Sequence, residues 1–372
     1  MSISNRTNSA LCGNDLKLAW RKGPDGTGIG EQELRKEGIS MDKMIRKVKH
    51  FLDAQKEYKP VLQKIADRYG VPYLWIKADF IWCRIRYGAS IYNYISFEFF
   101  KLCARERNTF LTDIRSERII RGLKKPLSPK EKDLLNDKCQ TNALFSKLVH
   151  REWIDASTAD EDQIRAFLQR HDQFIQKPSS KAKGEGVEKK DSRQVLSNFS
   201  SFIAEIKNGK WLLEEVVKQH SEMNAVNPTS INTLRVASIR DTAGNVHIVG
   251  VSLRGGMMGA VVDNLRAGGV QYPIDIQQEI IARPGVRFNG ETGVLFHPGT
   301  DHKMIGMRIP NWDSVVAATE EAGKMLPNIR SVGWDFAITE QGCELIEANL
   351  SQGVNGMQLD GIGKYPIIKQ YL

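Results

Sequence analysis

The sequence has few cysteines, and none of them pair. Its five, Cys12, Cys83, Cys103, Cys139 and Cys343, form no C-x-x-C motif and join no histidine at zinc spacing. This excludes a disulfide scaffold and a zinc module. It leaves buried or incidental thiols in a reducing cytosol. No apolar run approaches the roughly 18–20 residues that a spanning helix needs. The stretch Met1–Trp20 lacks a charged n-region, an apolar h-region and a small-residue cleavage site, so no signal peptide is expected. The pattern G-x-x-x-x-G-K-[ST] occurs nowhere. No internal repeat is found, and no convincing Ser/His/Asp or Cys/His set.

What is present is a chain of 372 residues with ordinary apolar content and a formal net charge of +9. That length accommodates two or three folded domains. The charge is uneven. Residues 41–125 hold 19 Lys+Arg against 9 Asp+Glu, so the rest of the chain is close to neutral. Such a surplus suits a solvated helical surface, or one that attracts phosphates, nucleic acid or an anionic membrane face. Because the basic residues are dispersed, the solvated surface is favoured and no nucleic-acid partner is expected.

Residues 1–38 carry Gly23, Pro24, Gly26, Gly28 and Gly30 with little periodicity and read as a mobile arm. From Ser40 the pattern turns helical, with Met44, Val48, Phe51 and Leu52 on one face. Gly70–Pro72 interrupts it. Helices over Leu74–Tyr87 and Tyr92–Arg105 follow, and their aromatic residues read as core at this spacing. A boundary falls at Pro126–Pro129. Beyond it, Ser128 caps a short helix, another runs over Lys138–His150, and Thr158 with Glu161 forms a capping box for a third. Strands are predicted over Asp172–Pro178, Trp211–Val217, Ser230–Arg240, Val246–Leu253, Ser331–Ile338 and Cys343–Asn349. Helices are predicted over Arg193–Lys207 and from Asn311 to Met325. This order is α+β and not a regular βαβ alternation.

The last two strands flank the turn Thr339–Gly342. A hairpin centred near Gln341 sets Asp335 opposite Glu347, and Asn349 shares the face of Glu347. Trp334, Phe336, Ile346 and Ala348 fall on the other, apolar face. Two carboxylates facing each other repel by roughly 1 kcal/mol or more when partly buried. A hard divalent cation such as Mg²⁺ removes that penalty. On a solvent-exposed edge the same residues would be ordinary charged positions.

Lys177 ends an apolar strand and enters the small-residue loop Ser179–Gly186, which contains Ser180, Gly184 and Gly186. Such a loop lets backbone N–H groups approach phosphate oxygens, with the lysine as a point charge. An ordinary strand connection has the same composition. Near residue 215, Glu214 and Glu215 precede a loop whose backbone could meet an adenine ring, or they simply end a strand.

Taken in this order, the lysine with its loop, the Glu-Glu hinge and the terminal Asp…Glu-x-Asn resemble the ATP-grasp fold. The phrases Asn227–Ile239, Gly255–Gly269 and Val332–Gly353 are similar to the sugar-transfer-associated ATP-grasp family, over roughly Tyr87 to the C-terminus. The resemblance implies two α+β subdomains clamping ATP, a lid part over about 138–217 and a metal-binding part over about 226–372, within an ATP-grasp domain spanning 126–372. A helical basic region over 39–125 precedes them. By the resemblance, Lys138 and Lys177 match the two nucleotide lysines. Glu215, Val216 and Val217 match the hinge with Glu214 beside them, and His220 lies toward the ribose. Ser179, Ser180, Gly184 and Gly186 form the phosphate loop. Arg235 faces the transferred phosphate or the substrate carboxylate, and Asp335, Glu347 and Asn349 ligate the metal. Arg254, Asp263 and Asn264 belong to a family phrase with no role assigned. Lys181 and Lys183 are additions within the loop.

The resemblance implies ATP and Mg²⁺, one or two ions, with Mn²⁺ as the alternative. The leading expectation is a cytoplasmic carboxylate–amine ligase acting through an acyl phosphate on a small or sugar-linked acid, near cell-surface polysaccharide synthesis. Its basic N-terminal region could touch the inner membrane face. A phosphotransferase acting on a hydroxyl and a non-catalytic nucleotide-binding module are the rival expectations.

Overall fold

A computed structural model describes residues 58–123, 128–180, 185–261, 263, 265, 268–287, 291–350 and 352–371. The expected arm over 1–38, the helical start from Ser40, Lys181, Lys183, Gly184 and Asn264 lie outside the described residues. The chain divides into two compact units, residues 1–64 and 65–372. Of the first, residues 58–64 are described and helical.

The second unit contains two antiparallel sheets. The smaller has the order β1-β4-β2-β3, built from β1 (Trp153–Asp155), β2 (Gln173–Pro178), β3 (Glu188–Asp191) and β4 (Trp211–Glu215). Helices Glu161–Arg170 and Phe199–Lys207 cover one face of it. They do so through Ile164, Phe167, Phe202 and Ile206 packed on Phe174 and Leu213. The cap of the first helix is Asp160, which accepts from Gln163 N–H while Gln163 returns the bond. The box therefore sits two residues beyond the expected Thr158–Glu161, because an aspartate nearer the helix wins the same role. The helix expected over Arg193–Lys207 breaks at Asn198, whose backbone leaves helical geometry.

The larger sheet has eight strands. Its order is β10 (Thr292–Val294), β9 (Gly285–Arg287), β7 (Val270–Asp275), β6 (Val246–Gly255), β5 (Thr233–Arg240), β11 (Ser331–Thr339) and β12 (Gly342–Asn349), with β8 (Ile280–Ile281) beside β7. Both faces are covered, so alternate residues of its central strands enter different cores. Leu234, Val236, Trp334, Phe336 and Leu345 join one core with helix Trp312–Lys324. Ala237, Ile239 and Val249 join the other with Leu111, Leu123, Met357 and Ile368.

The helical residues from 65 to 123 thus belong to the same compact unit as the sheets. The attachment is polar as well as apolar. Gln358 accepts from Leu111 N–H and donates to Leu111 C=O, and Tyr365 N–H donates to Thr109 C=O. Among the described residues no helix is long and apolar enough to cross a membrane.

Candidate functional site

The β11–β12 hairpin has the expected register at its functional end, with Asp335 paired to Glu347 and Gly333 to Asn349. A bulge between Asp335 and Phe336 then shifts the ladder by one residue. Leu345 therefore takes the core place opposite Phe336 that even alternation assigns to Ile346. An inserted residue reverses which side chains face inward.

Asp335 is held by more than the hairpin. On β5, Arg235 is its direct cross-strand partner. The guanidinium donates through Nε to Oδ1 at 2.5 Å and through Nη2 to Oδ2 at 2.8 Å. Arg254, one strand further, donates from Nη1 to both oxygens at 3.3 Å. Asn349 Nδ2 adds a bond of 3.2 Å to Oδ2. Burial pushes the Asp335 carboxyl up, but the two arginines outweigh it and hold it below the usual carboxylate range. The backbone at Gly353 closes over this pair with φ +70°, and a Cβ there would lie 3.3 Å from Arg235 Nη1. Asp263, from the loop after β6, accepts from the hydroxyl and N–H of Thr233 and so ties that loop beside both arginines.

The lysines come from a helix packed beside β12 and from β2 of the smaller sheet. Asp137 caps helix Lys138–Leu144 by accepting from Cys139 and Gln140 N–H, which sets Lys138 in the first helical turn. Its Nζ lies 3.8 Å from Glu347 Oε1, and its N–H donates to Ser179 C=O. Lys177 is buried near the end of β2, with Nζ 2.5 Å from Glu214 Oε2. Burial draws its ammonium below the usual lysine range, while Glu214 and the charge of Glu347 pull it back up. The Ser179 side chain is buried, Ser180 is exposed, and Gly186 takes φ +73° beside Pro178.

The structure therefore brings Lys138, Lys177, Ser179, Arg235, Asp335, Glu347 and Asn349 toward one region. The hinge residues divide. Glu215 exchanges bonds with Glu152, giving its N–H to Glu152 C=O and accepting from Glu152 N–H. Val216 and Val217 follow it, half-buried, past the end of the strand. Glu214 points the other way, into the protein. His220 caps helix Ser221–Val226 through Nδ1, and its Nε2 lies 3.3 Å from Glu340, so its ring is engaged within the fold.

Sequence reasoning missed Arg151 and Glu344. Arg151 is buried and places Nη2 2.7 Å from Glu214 and Nη1 2.7 Å from Glu344, bridging β4 of one sheet and β12 of the other. Glu344 also accepts from the N–H groups of His150 and Arg151. A charged residue between Cys343 and Leu345 was the one visible signal. Gln219 was missed too. Its carboxamide joins Asn227, Ser230 and Asn232, shaping the loop that leads into β5.

Burial raises the Glu214 carboxyl, yet Arg151 and Lys177 outweigh it and hold it down at about 2. A depressed carboxyl stabilises the fold above its unfolded pKa of about 4.3, and that contribution is lost as pH falls toward 2. Urea unfolding from pH 6 down to the acid limit should reveal a loss of roughly 3 kcal/mol from this group. A Glu214→Gln variant, less stable at neutral pH, should have the flatter acid limb. Identical limbs would refute the assignment.

Among the described residues no cluster of three or more His, Cys, Asp or Glu is placed to hold a metal. The candidate set is two carboxylates and one amide. These donors suit Mg²⁺ in kind, since it takes one or two protein carboxylates and completes its shell with phosphate oxygens and water. Here, however, both Asp335 oxygens accept from Arg235 and Arg254, and Lys138 lies beside Glu347, so these cations offset the carboxylate repulsion that the sequence assigned to a metal.

A family model described as sugar-transfer associated ATP-grasp matches residues 124–370. The chain belongs to this family. The two-sheet α+β fold is thus the ATP-grasp fold, preceded by helices. Solved structures with similar chains include the following. The ligase PsnB, crystallised with a phosphomimetic variant of its minimal precursor, Mg and ADP, is 14% identical with a TM-score of 0.40, covering 65% of this chain and 59% of its own. The biotin carboxylase of Campylobacter jejuni is 12% identical with a TM-score of 0.42, covering 65% and 47%. The D-alanyl-alanine synthetase A of Vibrio cholerae is 13% identical with a TM-score of 0.38, covering 65% and 61%. The ATP-grasp chain thus spans less than two-thirds of each of these proteins. No curated protein matches it.

Proposed function

We propose that this ATP-grasp protein is an ATP-dependent ligase. A substrate carboxylate oxygen attacks the γ-phosphorus of ATP, the bond to the β–γ bridging oxygen breaks, and ADP leaves. An amine or another nucleophile then attacks the acyl carbon and inorganic phosphate departs. The observation supporting this reading is the 3.8 Å approach of Lys138 to Glu347 on the acidic hairpin. It sets a cation for phosphates beside a pair of carboxylates suited to a metal.

Lys138 and Lys177 would bind the phosphate chain, and the Ser179–Gly186 loop would cover it and exclude water from the acyl phosphate. The backbone at Glu215–Val217 would meet adenine. Arg235, already oriented by Asp335, would present its remaining Nη1 toward the transferred phosphoryl group or the acid. Mg²⁺, or Mn²⁺ in its place, held by Asp335, Glu347 and Asn349, would neutralise phosphate charge. A small or sugar-linked acid and an amine or another nucleophile are the substrates this reading puts first.

Thermal unfolding with and without Mg·ATP tests the proposal. At 100 times Kd, binding adds about 2.7 kcal/mol, a rise of roughly 5–10 °C for a domain of this size. The rise should be present in the wild type and absent in Glu347→Ala. No rise in a folded wild type with excess magnesium would overturn the reading. A stable phosphorylated product formed without any amine would redirect it to phosphoryl transfer.

A further inference from the structure

Helix Tyr73–Tyr87 has two apolar faces. Ile76, Phe80, Cys83 and Tyr87 are buried. On other sides of the helix, Leu74 is 72% exposed, Trp75 44%, Trp82 46% and Ile85 63%. The spacing of Leu74, Trp82 and Ile85 spans three turns of one side, with Trp75 beside Leu74. At the C-terminal end the helix closes on Gly88, which abuts Ile114, itself 52% exposed. A soluble helix usually leaves charged residues at such positions. Large apolar side chains gathered there mark a surface that another body covers.

The surrounding charge decides which body. Arg84 and Arg86 are exposed beside the stripe, and Lys77 is half-exposed on the same helix. Its single acid, Asp79, is paired with Arg107 at 2.7 Å. Across the described residues 58–123, twelve Lys+Arg stand against six Asp+Glu. A second copy would set a face of the same positive charge against this one in a two-fold contact. The segment 1–57 is itself basic, with eleven Lys+Arg against eight Asp+Glu. An anionic lipid surface matches both features, since tryptophans settle at the headgroup level, aliphatic side chains enter the acyl boundary, and basic residues meet lipid phosphates. We propose that the exposed face of helix Tyr73–Tyr87 docks this protein on an anionic membrane surface.

The test uses the full chain in co-sedimentation with vesicles of phosphatidylcholine alone and of phosphatidylcholine with phosphatidylglycerol. Binding to the anionic vesicles is expected, weakening as salt rises, with a blue shift of tryptophan emission. The double variant Arg84→Gln/Arg86→Gln should bind roughly 30-fold more weakly. Leu74→Ser/Ile85→Ser, at the two most exposed positions, should bind at least about 10-fold more weakly with an unchanged melting temperature. Absence of binding to anionic vesicles, or wild-type binding by both variants, would overturn the proposal. A dimer in sedimentation velocity that Leu74→Ser/Ile85→Ser dissolves, without lipid binding, would assign the face to a second copy. Tight binding to free phosphatidylglycerol headgroup analogue with none to vesicles would also overturn it.

Discussion

Replacing Arg151 with methionine is expected to destabilise the protein by roughly 3–5 kcal/mol, the range found when one partner of a buried ion pair is removed. Arg151 stands between Glu214 and Glu344, at 2.7 Å from each, and also donates to Leu345 C=O. Without it both carboxylates remain buried. Glu214 would keep Lys177 and Asn142, and Glu344 would keep the N–H and ring of His150. Neither set replaces a shared guanidinium. Because Arg151 joins strands from the two sheets, the loss should show as one lowered urea midpoint, not as two separate transitions. Arg151→Lys should recover only part of the stability, since an ammonium cannot present two directed donor pairs to carboxylates on opposite sides. A loss below about 1 kcal/mol would mean that the bridge is dispensable, as exposed pairs usually are.

The second large effect concerns chemistry. Lys177→Met should reduce ATP turnover by about 10²–10³, the cost of removing a directed donor from a developing phosphoryl charge. Turnover is read as ADP release, first as intrinsic hydrolysis and then with any productive acid and amine. Stability should suffer less than with Arg151→Met, because Glu214 keeps its bond to Arg151 at 2.7 Å. The methionine occupies much of the lysine volume inside β2. Lys177 is the more informative of the two lysines, since it is buried and its ammonium is fixed by Glu214. Turnover within about threefold of wild type would remove it from the site, given the usual size of such effects.

Much of this was legible before any coordinates. The alternation of polar and apolar residues along Ser331–Ile338 and Cys343–Asn349, with the four-residue turn Thr339–Gly342 between them, is local information. It suffices to set Asp335 against Glu347. The strand ending at Lys177 and the strand over Trp211–Glu215 follow from similarly local patterns. The family membership was readable because three long phrases that resemble the family stand together in order. The capping of helix Glu161–Arg170 was misplaced by two residues, since a sequence offers several short polar side chains and only the backbone path selects among them.

By itself the sequence determined the ATP-grasp order of elements and the acidic hairpin, and it offered the lysines and carboxylates proposed for phosphate and cation chemistry. Each of these depends on neighbours two to a dozen residues apart. The tertiary structure alone decided which charges meet. Asp335 is held by Arg235 and Arg254, 100 and 81 residues away. Glu214 and Glu344 share Arg151 across 63 and 193 residues. No local pattern encodes such partners, because a buried carboxylate needs a cation from whichever strand or loop the fold brings beside it, and its cost in isolation is what selects that pairing.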